Sequence, residues 1–146
     1  EKEVITRLAR VGYDNSLGYL KGGMEAWKAA GKETDKIESV TPEELKNLLE
    51  KTEINVLDVR KISEFKAEHV ADAKNVPLDY INSVMDQVDA NKTYYTHCKG
   101  GYRSVIFNSI LKARGRHNLI DVKGGIDAMI EAGITMTDYI CPSTLK

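Results

Sequence analysis

The chain has 146 residues, 42% of them hydrophobic, which suffices for one ordinary core and not for two complete domains. Its 21 basic and 22 acidic residues are spread along the sequence and leave a formal net charge of −1, so neither a nucleic-acid nor an anionic-membrane footprint is present. No apolar run approaches the ~20 residues needed to cross a bilayer, and two cysteines, Cys98 and Cys141, make no disulfide framework, which points to the reducing cytoplasm and to chemistry at a thiol.

The sequence opens with Glu1, which leaves the natural start and any leader peptide open. Residues 8–31, LARVGYDNSLGYLKGGMEAWKAAG, can be laid over residues 111–133, LKARGRHNLIDVKGGIDAMIEAG, with one single-residue gap. Leu8 then falls on Leu111, Gly12 on Gly115, Lys21-Gly22-Gly23 on Lys123-Gly124-Gly125, Ala26 on Ala128 and Gly31 on Gly133. Chance likeness of short helical segments is the competing explanation, but the glycines and the lysine agree across a helix-turn-strand-turn-helix order. Residues 1–37 are therefore expected to be the tail of an earlier repeat, and 38–146 a domain of the same kind. Without its sheet, the tail would need to pack Leu20, Met24 and Trp27 on the second domain or on another chain, or stay partly disordered.

From Ser39 onward short apolar strands alternate with amphipathic helices. SVTPEELKNLLEK predicts a helix with Thr41 as N-cap, Pro42 in the first position, Glu43 and Glu44 in the first turn, and Leu45, Leu48 and Leu49 on one face. INVLDVR, Ile54 to Arg60, is a strand and KISEFKAEHV a short helix; KNVPL is a second strand, stopped by Pro77. DYINSVMDQV is expected to be a helix with Ile81, Val84, Met85 and Val88 inward. KTYYTHC is a strand ending at Cys98, and RSVIFNSILKARG a helix that buries Val105, Ile106, Ile110 and Leu111 and stops at Gly115. NLIDVKGG gives another strand and GIDAMIEAG a last helix closed by Gly133. The expected fold is α/β, a mainly parallel five-stranded sheet with helices on both faces, whose active site gathers at the carboxyl ends of the strands, where Cys98, Asp58 and Arg60 fall.

A cysteine is most often a small buried hydrophobe, and that is the expectation for Cys141. Cys98 is followed by Lys99, Gly100, Gly101, Tyr102, Arg103 and Ser104, at the spacing CxxxxR. Two glycines let the peptide N–H groups turn around one point, and a helix beginning near Arg103 or Ser104 adds its free N–H groups and the positive end of its dipole. An ordinary thiol, pKa ~8.5, is only ~3% thiolate at neutral pH; lowering it by about two units takes roughly 2.7 kcal/mol, within reach of a few charge-assisted hydrogen bonds. Lys99 and Arg103 add positive charge, and Arg103 could hold an incoming anion in a fork of two bonds. No general base stands beside the thiol, which suits a thiolate nucleophile.

THCKGGYRS, with NVLDVRKISEFKAEHVADAKNVPL before it and LIDVKGGIDAMIEAG after it, resembles the rhodanese-like sulfurtransferase family from about Glu38 to Leu145. The resemblance implies that Cys98 accepts a sulfane sulfur from a donor such as thiosulfate or a polysulfide. It would hold the sulfur as a persulfide ringed by residues 99–104, then pass it to a thiol or cyanide. It implies no cofactor, with small sulfur compounds or thiols as partners; three scattered histidines make no zinc site, so any metal is expected in an upstream part. Asp58 and Arg60 match a strand-end acid and base that support the loop, a solvated ion pair being the plainer alternative; Glu64 fits that role less closely. His69 is assigned to a turn, His97 to packing on one side of its strand, and His117 to the surface. Two departures stand out. Lys99 and the Gly100-Gly101 pair replace the family's arginine and single glycine, and EHVADA, Glu68 to Ala73, replaces its usual turn. Lysine keeps the charge and loses planar bidentate binding, which weighs against thiosulfate.

The loop is one residue shorter than in dual-specificity phosphatases of the same fold, which disfavours phosphate. The alternative from another class is a non-catalytic interaction or sulfur-relay module serving an upstream domain. Tandem rhodanese-like domains also follow metallo-β-lactamase-like hydrolases, and the closing DYICPSTLK is similar to the end of such fusions. Contact with upstream domains of the same polypeptide is expected on that basis.

Overall fold

The computed structural model describes residues 2–9, 12 and 14–141. The last five residues of the DYICPSTLK tail lie outside the described residues. The chain divides into two compact units, Glu1–Lys36 and Ile37–Lys146.

The first unit holds α1 (Lys2–Ala9) and α2 (Gly23–Ala29). Gly22 and Gly23, at φ 85° and 54°, lead into α2. The helix closes with Ala30 N–H on Ala26 O at 3.0 Å and Gly31 N–H on Lys28 O at 2.9 Å, Gly31 taking the left-handed conformation that ends many helices. Leu20, Met24 and Trp27 are exposed.

The second unit is built on β1 (Ser39–Val40), α3 (Pro42–Leu49), β2 (Asn55–Asp58), α4 (Ile62–Ala67), β3 (Lys74–Asn75), α5 (Ile81–Val84), β4 (Tyr94–His97), α6 (Tyr102–Ala113), β5 (Leu119–Val122) and α7 (Gly125–Glu131). The five strands form one sheet in the order β1-β5-β4-β2-β3 with every pairing parallel. Because β4 is central and all strands run one way, its carboxyl end opens between the ends of β2 and β5. That position delivers Cys98 to the middle of the sheet edge. Two apolar clusters line the sheet. One gathers Leu57, Val59, Val76, Val88, Phe107 and Leu111; the other gathers Leu45, Val56, Val70, Val122, Met129 and Ile134.

Helix α3 forms as its sequence predicts: Thr41 Oγ1 accepts from Glu44 N–H, and the Glu44 carboxylate accepts from Thr41 N–H at 2.7 Å, a reciprocal cap. Two expected helices differ. The segment 78–88 is a 3-10 turn at Leu78–Tyr80, one turn of α5, then a second 3-10 turn at Met85–Gln87. Its inward residues hold, with Ile81 and Val88 buried and Val84 and Met85 against the same core. Helix α6 buries Ser104, Phe107, Asn108 and Leu111 and leaves Val105 41% exposed, with Ile106 and Ile110 half-buried. The buried face includes two polar residues because β4 offers Thr96, whose hydroxyl donates to Asn108 Oδ1 at 2.9 Å; counting apolar residues alone rotates the helix.

Candidate functional site

Residues 98–101 leave β4 and turn into α6. Only one of the two loop glycines needs its freedom: Gly101 sits at φ 93° as the N-cap of α6, whereas Gly100 has no positive φ and open space around it. The turn aims Gly101 N–H at the Cys98 sulfur, 3.1 Å away, and starts α6 at Tyr102, one residue earlier than the sequence suggests.

Cys98 is 1% exposed. Burial by itself pushes its thiol up. Against this act the Ser104 N–H, the Ser104 hydroxyl 3.7 Å from Sγ, and the N–H groups of Gly101 and Arg103, which together hold the thiol below its ordinary range. The first turn of α6 supplies two of these N–H donors, so the helix end and the glycine turn converge on one atom.

The loop is held from outside by α7. Ile126 N–H donates to Cys98 O at 2.8 Å and Asp127 N–H to Lys99 O at 3.3 Å. Pinning both carbonyls away from the sulfur leaves the amide N–H groups turned toward it. Gly125 makes the approach possible: at φ 61°, a Cβ there would lie 2.6 Å from Cys98 O and nearer still to Lys99 O. Sequence reasoning finds the Lys123-Gly124-Gly125 motif as a repeat and misses this clamp; the paired glycines before a helix were its available signal.

The two loop cations do not face the mouth alone. Both terminal nitrogens of Arg103 donate to Glu64, at 2.7 Å and 3.0 Å, so the fork is engaged within the protein, and the guanidinium also acts on the Cys98 sulfur. The Arg103 contact, opposed by partial burial, holds the Glu64 carboxyl below the usual range. Lys99 Nζ lies 3.3 Å from Asp127 Oδ1, both side chains more than half exposed. Tyr102 is 79% exposed.

Asp58 and Arg60 form a buried pair, not a solvated one: Arg60 donates to both Asp58 oxygens, the shortest contact being 2.6 Å, and also to Glu68 O. Through the Arg60 bond to Glu68 O the pair ties the end of β2 to the turn after α4. It neighbours the loop through His97, whose Nε2 is 3.9 Å from Asp58 Oδ2 and whose Nδ1 is 3.2 Å from Cys98 O. Burial holds the His97 ring below its usual range, hence neutral. A neutral ring that donates from Nδ1 to the carbonyl leaves Nε2 as an acceptor without a donor. His69 serves its turn, with Nδ1 2.7 Å from Phe65 O and the ring stacked on Phe65; His117 is exposed.

Cys141, expected to be buried, is exposed. Its apolar neighbours Tyr139 and Ile140 are exposed too, so the segment supplies no core for a thiol to enter.

Asp121 is a buried carboxyl that sequence reasoning passes over inside LIDV. It is 5% exposed, and burial holds it above the usual range against the Ser104 hydroxyl and Lys123. Its Oδ1 and Asn108 Nδ2 are buried without a hydrogen-bond partner.

No group of three or more His, Cys, Asp or Glu is placed to hold a metal among the described residues, and no described helix is long and apolar enough to cross a membrane.

Comparison with known proteins gives a match to the rhodanese-like domain over residues 41–132. The crystal structure of a rhodanese-like domain protein from Staphylococcus aureus superposes with a TM-score of 0.63 at 31% identity, covering 70% of this chain and 100% of that one. An uncharacterized Synechocystis protein is 29% identical over 96 residues, 66% of this chain and 54% of its own length. The Bacillus subtilis protein named "Putative sulfur carrier protein YrkF" is 29% identical over 73 residues, 50% of this chain and 40% of its own. The chain thus spans about half or less of these two curated relatives.

Proposed function

The chain belongs to the rhodanese-like domain family, and we propose that within it this domain is a sulfurtransferase that carries a sulfane sulfur on Cys98. The observation that carries the reading is the convergence of the Gly101, Arg103 and Ser104 N–H groups and the Ser104 hydroxyl on one buried sulfur. A site that stabilises a thiolate by fixed dipoles, with no base in direct hydrogen-bond contact with the sulfur among the described residues, suits a nucleophile that must attack without first losing a proton. The likeness to a protein named as a sulfur carrier agrees with the same chemistry.

In the first half-reaction the Cys98 thiolate attacks the outer sulfur of the donor, forming one S–S bond while the donor's own bond to that sulfur breaks and its electron pair leaves with the donor. The reverse sense completes the cycle: a thiolate or cyanide takes the outer sulfur and Cys98 recovers its thiolate. No net electrons are gained or lost by the protein, and the N–H groups around the sulfur serve the charge in both halves. The partners are small sulfur compounds or thiols and other parts of the same polypeptide, and the reducing cytoplasm keeps the thiol in its working state.

The first unit is assigned, on the same footing, to the end of a preceding repeat of this fold. Its support is local conformation as well as sequence. Gly124 and Gly125 lead into α7 at φ 75° and 61°, as Gly22 and Gly23 lead into α2. Both helices have seven residues, and both close with the same pair of backbone bonds and a left-handed glycine.

The test is transfer of sulfur to cyanide, followed as thiocyanate. Cys98→Ser should abolish it with the fold intact, and Cys141→Ser should leave it. Transfer by the Cys98→Ser protein at the parent rate would refute the assignment. Absence of transfer and of Cys98 labelling with every donor would favour the non-catalytic module.

A further inference from the structure

Three cations near Cys98 are matched by carboxylates. Arg60 is bound by Asp58, Arg103 by Glu64 through two bonds, and Lys99 by Asp127. These three pairs sum to no net charge. Arg103 acts on the Cys98 sulfur as well, but with its charge balanced by Glu64; the rest of the stabilisation comes from N–H dipoles and the Ser104 hydroxyl aimed at a single sulfur, and dipole stabilisation falls off faster with distance than that of a free charge. The site therefore favours negative charge on one atom at its floor and offers little to a second charged group at its rim. A sulfonate-bearing donor carries two negative charges, and its oxygens need a planar fork or a free cation there. The fork of Arg103 is given to Glu64, which is ionised because its carboxyl is held low, and the pair is only 28% and 30% exposed at its side chains.

Resting on the sulfurtransferase reading, we infer that Glu64 is a specificity-determining residue: by occupying the Arg103 guanidinium it selects a thiol-borne persulfide, R–S–SH, over a sulfonate-bearing donor such as thiosulfate. The step balances as R–S–SH plus the Cys98 thiolate giving Cys98–S–SH plus R–S⁻. The Sγ–S bond forms, the R–S to S bond breaks, the proton stays on the transferred sulfur, and the leaving thiolate takes the electron pair. Asp127 acts in the same sense on Lys99, more weakly, because that pair is more exposed and better screened.

The experiment measures kcat/KM for thiosulfate and for glutathione persulfide, with cyanide as acceptor, in the parent, Glu64→Gln and Asp127→Asn. The parent is expected to prefer the persulfide. Glu64→Gln should raise kcat/KM for thiosulfate about tenfold, chiefly through KM, equivalent to ~1.4 kcal/mol of donor binding. The persulfide value should change less than about threefold, so the selectivity ratio falls; Asp127→Asn should move it the same way by a smaller factor. A parent that uses thiosulfate as well as the persulfide overturns the inference while leaving the sulfurtransferase reading intact. So does a folded Glu64→Gln protein with the parent's ratio. If Glu64→Gln fails to fold, Asp127→Asn decides, an unchanged ratio counting against the inference. Failure of both donors to label Cys98 instead removes the reading on which it rests.

Discussion

Gly125→Ala puts the clamp between α7 and the cysteine loop to the test. The new Cβ would meet two main-chain carbonyls, Cys98 O at 2.6 Å and Lys99 O closer, and neither can move aside as a flexible side chain could. At φ 61° the residue also bears the left-handed penalty of ~1–2 kcal/mol for a non-glycine. Relief requires loop and helix to separate, which loosens the Ile126 N–H bond to Cys98 O and the Asp127 N–H bond to Lys99 O, each worth about 1 kcal/mol. The total is roughly 2–4 kcal/mol, taken largely from the loop. With the carbonyls released, the amides no longer converge on Sγ and the thiol rises toward its ordinary range. Iodoacetamide alkylation of Cys98 at neutral pH should slow and its alkylation profile should move to higher pH, with reduced stability in urea. Gly100→Ala, where the added Cβ meets nothing within 4 Å, is the control and should behave as the parent. A Gly125→Ala protein with the parent's alkylation rate and stability would refute the clamp.

Ser104→Ala removes the hydroxyl 3.7 Å from Sγ and should slow Cys98 alkylation at neutral pH by about threefold, as loss of a weak hydrogen bond of ~0.7 kcal/mol would; its alkylation profile should shift to higher pH. Glu64→Gln should cost about 1 kcal/mol at pH 7. Because the Glu64 carboxyl is held low in the fold, that contribution is present above the unfolded carboxyl range and is lost as pH falls through the folded value. Urea titrations of parent and variant should therefore converge in acid. Asp121 is opposite in sign: its carboxyl is held high, so its favourable protonated state is complete at low pH and lost as pH rises. Asp121→Asn should gain stability relative to the parent with rising pH, by on the order of 1 kcal/mol for a buried charge only partly met by the Ser104 hydroxyl and Lys123.

Where local chemistry decides structure, the sequence is legible. Thr41-Pro42 with Glu44 is a complete cap within four residues, and short β-rich runs between helices specify a parallel sheet. Cys98 at the end of β4 follows from strand period and the glycines after it. What escapes is set by contacts distant in sequence. Glu64 meets Arg103 39 residues away, Gly125 meets Cys98 and Lys99 across two elements, and Asn108 is buried because Thr96 awaits it on another strand. Gly100 and Gly101 look equivalent in sequence, yet only Gly101 takes the positive φ. The segment 78–88 keeps its inward residues while its backbone alternates between 3-10 and α turns, which apolar spacing alone does not distinguish.

Sulfur transfer by this domain depends on Cys98 as the carrier. Intact-protein and peptide mass spectrometry after exposure to glutathione persulfide, in the parent, Cys98→Ser and Cys141→Ser proteins, tests it most directly. A gain of one sulfur atom is expected on the peptide containing Cys98, retained in Cys141→Ser, absent from Cys98→Ser, and discharged by cyanide. A sulfur adduct found on Cys141 with none on Cys98 would contradict it.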